Sequence, residues 1–462
     1  MISKKNLAIS VLSGLMLGFS FPPFSLGFLA WIFLIPLFHI YYSDIDFKEK
    51  FISFYIASFI GHALITHWVA LNSGTSPQVA VFSYLALCTF YSFYWVLFLI
   101  IAHFSLKINF FKKYDFLVWP IMWTAMEMIR ATGPLGAPWL NLSLSQSSYD
   151  KIIQLISINE NISALIVIIF NFLLFKFFTT KRKQYLFYFT FVLISSMAIG
   201  QSLILKYNNS NFSKDINISI GQPVIYPDEK WNPLLKDRNN KIMKDLLEDS
   251  LSKKPDIVVW PEAALTSFLA VPSSAERKEI QKKLGNSSII TGIPHRVYDE
   301  SGLKIYNSAI FMNSNNFYDT YQKIFLVPFA EYVPFFKNWL SKMNQFDDMG
   351  SFSPGKDYKT FQVNDVTVSI LICYDSSSNK IAKKMVENGA EIIFVITNDS
   401  YVGKAMPYQH FKHAKLRAIE LGVPVVQSAN NGISGIILPS GKVIIKSEID
   451  ERNNFNALIK LK

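Results

Sequence analysis

Apolar runs close to the thickness of a bilayer core crowd the first 206 residues of this 462-residue chain, and no other feature limits its fold so sharply. A helix needs roughly 20 apolar residues to cross hydrocarbon, where every backbone N–H and C=O must be satisfied within the segment. Seven stretches approach that length, at about 6–22, 26–42, 51–70, 79–103, 114–131, 161–178 and 185–205. The charge between them is asymmetric. With the amino end inside, the inner connections carry Lys4, Lys5, Lys48, Lys50, Lys107, Lys112, Lys113, Lys176, Lys181, Arg182 and Lys183. The outer loops Pro22–Ser25, Leu71–Gln78 and Ala131–Asp150 carry no Lys or Arg. That bias fixes the amino end on the cytoplasmic side. An odd number of crossings then delivers the rest of the chain to the far face. The start MISKKNLAISVLSGLMLGF has the basic head and apolar core of a signal peptide, but FSFPPF follows where a small-residue cleavage site is needed, so it is read as the first span. The expected division is a transmembrane domain over 1–206 and an extracytoplasmic domain over 207–462.

Only 17% of the residues are charged, against about 25% in an average soluble protein. The net charge is +11, but residues 1–206 hold 14 basic against 7 acidic side chains, so more than half of the excess is topological. The remainder is mild, and nucleic acid is not an expected partner. From about Asn208 the texture changes to short β-branched runs alternating with polar amphipathic stretches. Strands are predicted at INISIGQ, DIVVWPE, SIITGIP, NSAIFMN, FYDTYQKIFL, VTVSILICYD, EIIFVITND, VPVVQSANNG and GIILPSGKVII, and helices over 232–252, 274–285, 378–389 and 407–421. Helices lying between strands predict α/β layers, and about 250 residues suffice for one large domain with a full core.

Three predicted strand ends carry reactive groups. DIVVWPE ends in Glu262, FYDTYQKIFLVPFAEYVPF contains Lys323 and Glu331, and VTVSILICYD ends in Cys373, Tyr374 and Asp375. Strand ends open onto the crevices of such sheets. A charge directly after an apolar strand is costly to bury unless it is paired. Carboxylate, ammonium and thiol would satisfy one another there, the carboxylate taking the thiol proton and the ammonium favouring thiolate and oxyanion. The other cysteine, Cys88, lies in an apolar membrane stretch and reads as inert packing. His410 and His413 are three apart on a predicted helix, but no third candidate ligand sits nearby, so no metal is expected.

These blocks resemble the nitrilase, or carbon–nitrogen hydrolase, superfamily: WPEAAL around Glu262, KIFLVPFAEYVPF around Lys323 and ICYD around Cys373, in that order. Within it the chain resembles the apolipoprotein N-acyltransferase family. FSFPPFSLGFLAWIFLIPLF is similar to that family's first hairpin, and EMIRATGPLGAPWLNLSLSQ to a later motif, with Glu127, Arg130, Pro138, Trp139 and Gln146 aligning. PYQHFKHAKLRAIELG and SANNGISGIILPSG extend the likeness over nearly the whole chain. The resemblance implies a polytopic α-helical membrane bundle plus an α/β nitrilase-like α-β-β-α sandwich. It implies a Glu262–Lys323–Cys373 triad without cofactor. Acyl transfer would run from a phospholipid through a Cys373 thioester to the free α-amine of a diacylglyceryl-cysteine lipoprotein. It also implies a monomer in a bacterial inner membrane with its catalytic domain facing the periplasm.

Glu331 is expected to orient Lys323, Tyr374 and Asp375 to support the nucleophile's loop, and Trp231 to border the lipid entrance, where an indole suits a wet apolar boundary. Glu127 and Arg130 would either pair or line the lipid route. The stretch PFFKNWLSKMNQF within 330–350 is expected to form an amphipathic lid. The sequence departs from the family in Asp375, where Glu is usual, in Tyr401 and Val402, where Trp and Phe are common, and in the last apolar span usual in the family, of which NALIKLK shows no trace. Two rival readings are a membrane-tethered amidase acting on a small amide and a non-enzymatic polytopic scaffold.

Overall fold

The computed structural model describes residues 2–300, 302–333 and 352–462, so the expected lid lies outside the described residues. The chain forms two compact units, Met1–Asn208 and Asn209–Lys462.

The first unit is helical: α1 (Lys4–Ser20), α2 (Ile35–Tyr42), α3 (Phe47–Thr66, continued to Leu71 by a 3-10 turn), α4 (Pro77–Ser105), α5 (Asp115–Arg130), α6 (Ile162–Thr180) and α7 (Lys183–Asn208). Among the described residues four helices are long and apolar enough to cross a membrane: Phe47–Leu71, Pro77–Ser105, Ile162–Thr180 and Lys183–Asn208. The other three expected spans are shorter. α1 has 17 residues and α5 has 16. The segment Gly27–Tyr42 is broken into a 3-10 turn, Gly27–Trp31, and α2. Buried Asn171 on α6 explains that break. Its Oδ1 accepts from Leu34 N (2.7 Å) and its Nδ2 donates to Ala30 O (2.7 Å), satisfying backbone groups that a continuous helix would have paired itself.

Close helix packing is written in the glycines. A Cβ on Gly14 would stand 2.5 Å from Ala57 O, and one on Gly18 2.4 Å from Leu64 Cβ, so this GxxxG pair lets α1 lie against α3. Glu127 and Arg130 pair at 3.3 Å and are both buried. Glu127 Oε1 also accepts from Trp123 Nε1 and Leu142 N, while Arg130 donates to Leu140 O at 2.8 Å. The ion pair therefore pins the 138–146 loop to α5. Gln146 ties that loop on to the Gly27–Trp31 turn through Trp31 Nε1 (2.8 Å) and Gly27 O (3.1 Å).

The second unit is a sandwich of two six-stranded sheets. One sheet has the order β12-β1-β2-β3-β4-β5, with β1 (Lys214–Gln222), β2 (Ile257–Val259), β3 (Ser288–Asp299), β4 (Gly302–Asn313), β5 (Tyr318–Gln322) and β12 (Asn453–Leu461). The other runs β11-β10-β9-β8-β7-β6, with β6 (Thr360–Val363), β7 (Val366–Ile372), β8 (Ile392–Thr397), β9 (Val425–Ala429), β10 (Gly435–Ile437) and β11 (Val443–Lys446). β1, β2 and β3 pair in parallel, as do β7, β8 and β9, and the outer pairings are antiparallel. Side-chain alternation builds the layers. Ile257 and Val259 join the core between the sheets, whereas Val258 turns outward onto α8 (Lys236–Ser252), against Met243 and Leu247. A strand covered on both faces has no polar side, which is why its three residues read as a plain apolar run. Beyond the second sheet lie α10 (Asn379–Glu387) and α11 (Ala405–Leu421), and α9 (Ala275–Lys283) precedes β3. The polytopic bundle plus α-β-β-α sandwich is the observed fold class.

Candidate active site

Three chain segments leave the sheets and converge. After β2 the backbone runs through Trp260 and Pro261 to Glu262, and Ala263 adopts φ +48°. Gly292 on β3 makes room: a Cβ there would lie 2.5 Å from Glu262 Cα. After β5 comes Lys323, whose backbone N–H donates to Asn307 O on β4 at 2.9 Å. After β7 comes Cys373, at φ +49°, opening a 3-10 turn over Cys373–Ser377. A left-handed conformation is costly for a non-glycine residue and holds only where its surroundings over-determine it.

Asp375 supplies much of that constraint. Fully buried, it accepts from Ile372 N (3.1 Å), Ile324 N (3.2 Å), Phe325 N (2.7 Å) and Tyr321 Oη (2.8 Å). It bolts the Cys373 turn to the chain just after Lys323. The shorter carboxylate reaches all four donors, so the departure from Glu is accommodated here. Burial pushes Asp375 up to about 6, against the pull of Lys323 and its donors. Tyr374 stacks on Phe325, with centroids 4.9 Å apart and planes at 16°.

The charged groups form one network. Glu262 Oε1 accepts from Asn307 Nδ2 (2.6 Å) and lies 3.8 Å from Lys323 Nζ, and its Oε2 accepts from Asn398 N (2.9 Å). Lys323 Nζ donates to Glu331 Oε1 at 2.8 Å, while Glu331 Oε2 accepts from Val327 N at 2.8 Å. Asn307 spans the two carboxylates, donating to Glu331 Oε1 at 3.0 Å as well as to Glu262. Burial alone would depress Lys323, but Glu331, Cys373 and Glu262 outweigh it and hold the ammonium well above its ordinary range. Burial raises Glu262 above the usual carboxylate range, and Lys323 opposes that shift. Burial also pushes the Cys373 thiol well up, Glu262 adding to the effect and Lys323 pulling it back. Carboxylate, ammonium and thiol thus act on one another directly.

Two residues of this site, Asn307 and Asn398, were not singled out by the sequence reading. Asn307 opens what reads as an ordinary strand, NSAIFMN, and only the fold brings it between two carboxylates. Asn398, at the end of β8, contributes a backbone N–H. His410 is fully buried, with Nδ1 3.0 Å from Asp399 Oδ1 and Nε2 3.0 Å from Ser376 Oγ and 3.2 Å from Cys373 O. The sequence reading placed no further ligand candidate near His410 and His413. The structure corrects it: the Cys373 sulfur, an Asp399 oxygen and a His410 nitrogen lie within 4.8 Å of one another, and His413 is not among them. Both His410 ring nitrogens already meet protein partners, so the cluster is accounted for as a brace under the Cys373–Ser377 turn. Trp231 is half exposed and donates Nε1–H to Tyr401 Oη at 2.9 Å, in the turn that follows Asn398.

Residues 13–173 match the apolipoprotein N-acyltransferase N-terminal domain, and residues 230–459 match the carbon–nitrogen hydrolase domain. The apolipoprotein N-acyltransferase of Rickettsia prowazekii is 30% identical over 359 residues, covering 75% of this chain and 71% of its own. That of Aquifex aeolicus is 29% identical over 359 residues, covering 76% and 77%. That of Geobacter metallireducens is 26% identical over 459 residues, covering 96% and 87%. The first match falls on the helical unit and the second on the two-sheet sandwich, and with relatives of this identity and coverage the chain belongs to the apolipoprotein N-acyltransferase family.

Proposed function

We propose that Cys373 is the nucleophile, Glu262 the general base and Lys323 the oxyanion-stabilising cation of a ping-pong acyl transfer from a phospholipid to the α-amine of a diacylglyceryl-cysteine lipoprotein. The observation that carries this reading is the convergence of these three groups from three strand ends, in a chain whose helical unit matches the family's N-terminal domain. Glu262 takes the Cys373 proton and the thiolate attacks the donor's ester carbonyl, forming the C–S bond. The tetrahedral oxyanion faces Lys323 and a backbone amide near Tyr374. The C–O bond breaks, and the departing lysophospholipid oxygen takes the proton back from Glu262. The lipoprotein amine then attacks the thioester, gives its proton to Glu262 and displaces the Cys373 sulfur, which is reprotonated.

The raised Glu262 suits a group that accepts and returns a proton near neutral pH. Glu331 fixes Lys323 at 2.8 Å and leaves it nearer to Glu331 than to Glu262. Asp375 and Tyr374 hold the turn, and Trp231 borders the lipid entrance. In this reading the protein lies in a bacterial inner membrane with seven crossings and residues after about 206 on the periplasmic side. The Lys/Arg asymmetry of the loops supports that orientation.

The test is mass spectrometry of the full-length protein after incubation with a defined phospholipid, beside Cys373→Ala. An acyl mass on Cys373 that hydroxylamine removes, absent from the variant, is the expected result. A diacylglyceryl peptide should then discharge it. No adduct while lipid is bound would favour hydrolysis of a small amide instead.

A further inference from the structure

We propose that Lys230 is a working part of this active site, an ammonium held in the dry wall beside Glu262 whose field keeps that base ionised and able to take the Cys373 proton. It acts through Glu262 and is therefore a positioning residue. The inference rests on the assignment of Glu262 as base to Cys373.

A lysine is seldom buried without a partner, because the ammonium loses its hydration and gains nothing in return. Lys230 is only 6% exposed, and its Nζ has no hydrogen-bond partner among the described residues. Its place is built. Lys230 ends a short helix, Pro227–Lys230, and the next residue, Trp231, bonds Tyr401 at 2.9 Å. Tyr401 lies in the turn after Asn398, whose N–H donates to Glu262 Oε2 at 2.9 Å. On the other side Asn430 donates to Ile225 O (2.7 Å) and to Asn398 Oδ1 (3.1 Å), and Val224 N donates to Asn430 O (2.8 Å). The segment carrying Lys230 is thus fastened, directly at one end and through Asn430 at the other, to the 398–401 turn that donates to Glu262.

The local charges call for a second cation. Besides Lys230, the titratable groups among the described residues that act on or answer to Glu262 include Lys323, Glu331, Cys373 and Tyr401. Lys323 is the one cation among these, and it sits 2.8 Å from Glu331 but 3.8 Å from Glu262. Glu262 and Glu331 share that one ammonium, and Lys230 adds a second cation that answers to Glu262. Glu262 is the charged group that acts on Lys230. Burial lowers the lysine to about 8 and Glu262 opposes the shift, which leaves Lys230 charged at neutral pH.

Alkylation of Cys373 by iodoacetamide needs no lipid and reads the base directly. It would be followed against pH in the full-length, detergent-solubilised protein carrying Cys88→Ala. Lys230→Met should move the acid limb up by about one pH unit, roughly a tenfold slower reaction on that limb. Lys230→Arg should restore most of the rate. The difference between Lys230→Met and the parent should close above about pH 8, where Lys230 itself loses its proton. An unshifted profile with a lowered Tm would reduce Lys230 to a packing residue. Glu262→Gln separates the two ideas. If it leaves the profile unchanged, the base assignment falls; if it changes the profile and Lys230→Met does not, only the role of Lys230 falls. Should Lys230→Met fail to fold, competitive amine labelling of Lys230 decides: its titration should drop in Glu262→Gln, and an equal titration in both proteins overturns the proposal.

Discussion

At the scale of single residues, the site is governed by how few hydrogen-bond donors serve its carboxylates. Asn307 has two amide protons and gives one to each of Glu262 and Glu331. Asn307→Leu should leave two acidic groups sharing Lys323 alone, raise the proton affinity of Glu262 and slow acylation of Cys373 by about a hundredfold, on the scale of losing one preorganised donor. Single-turnover kinetics would read this, and a near-normal rate would show that the bridge is dispensable. Asp375→Asn leaves one oxygen to serve donors that now meet two. One or two stranded groups at about 1–3 kcal/mol each predict a clear fall in Tm together with loss of thiol reactivity. Because burial raises both Cys373 and Glu262, alkylation of Cys373 at pH 7 should be slower than that of a free cysteine and should rise with pH; a pH-rate profile faster than free cysteine at neutrality would contradict this.

At the scale of elements, contacts between neighbours decide which substitutions the chain tolerates. Gly292→Ala places a methyl carbon 2.5 Å from Glu262 Cα, against backbone that cannot swing aside. The expected outcome is a destabilisation of about 1–3 kcal/mol with loss of acyl-enzyme, because the loop that must yield carries Glu262; intact acylation would refute it. Gly14→Val should push α1 from α3 and lower Tm in detergent, while Cys373 reactivity, which belongs to the other compact unit, survives. β12 was absent from the sequence reading, which found in NALIKLK only the lack of a membrane span. The segment instead pairs antiparallel with β1 from Asn453 to Leu461 and closes an edge of the first sheet. β6, only four residues long, was missed for a different reason: TFQV carries little signal until β7 is there to pair with it.

At the scale of the whole molecule, the number of times the first unit crosses the membrane turns on three short helices. Seven crossings put the 72–76 loop and residue 210 outside and residue 182 inside. Four crossings by the long helices alone would reverse 182 and 210. In a Cys88→Ala, Cys373→Ala background, an impermeant maleimide applied to intact cells should label Ser73→Cys and Ser210→Cys, and Arg182→Cys only after permeabilisation. Labelling of Arg182→Cys and protection of Ser210→Cys would overturn the periplasmic placement of the catalytic residues.

Some of this was legible in residue order because its cause is local. A run of apolar side chains declares a membrane helix or a doubly covered strand whatever surrounds it. A charge or thiol directly after such a strand declares a crevice, since burial without a partner is too costly; Glu262, Lys323 and Cys373 could be named on that ground. What the sequence could not show is whatever depends on a distant chain segment meeting that crevice. Asn307 and Lys230 have no local peculiarity. Asn171 looks like one polar residue in an apolar helix, yet it decides where another segment breaks. Hydrogen bonds and electric fields depend on distance through space, so only the folded chain reveals which amide bridges two carboxylates and which lysine is buried without a hydrogen-bond partner.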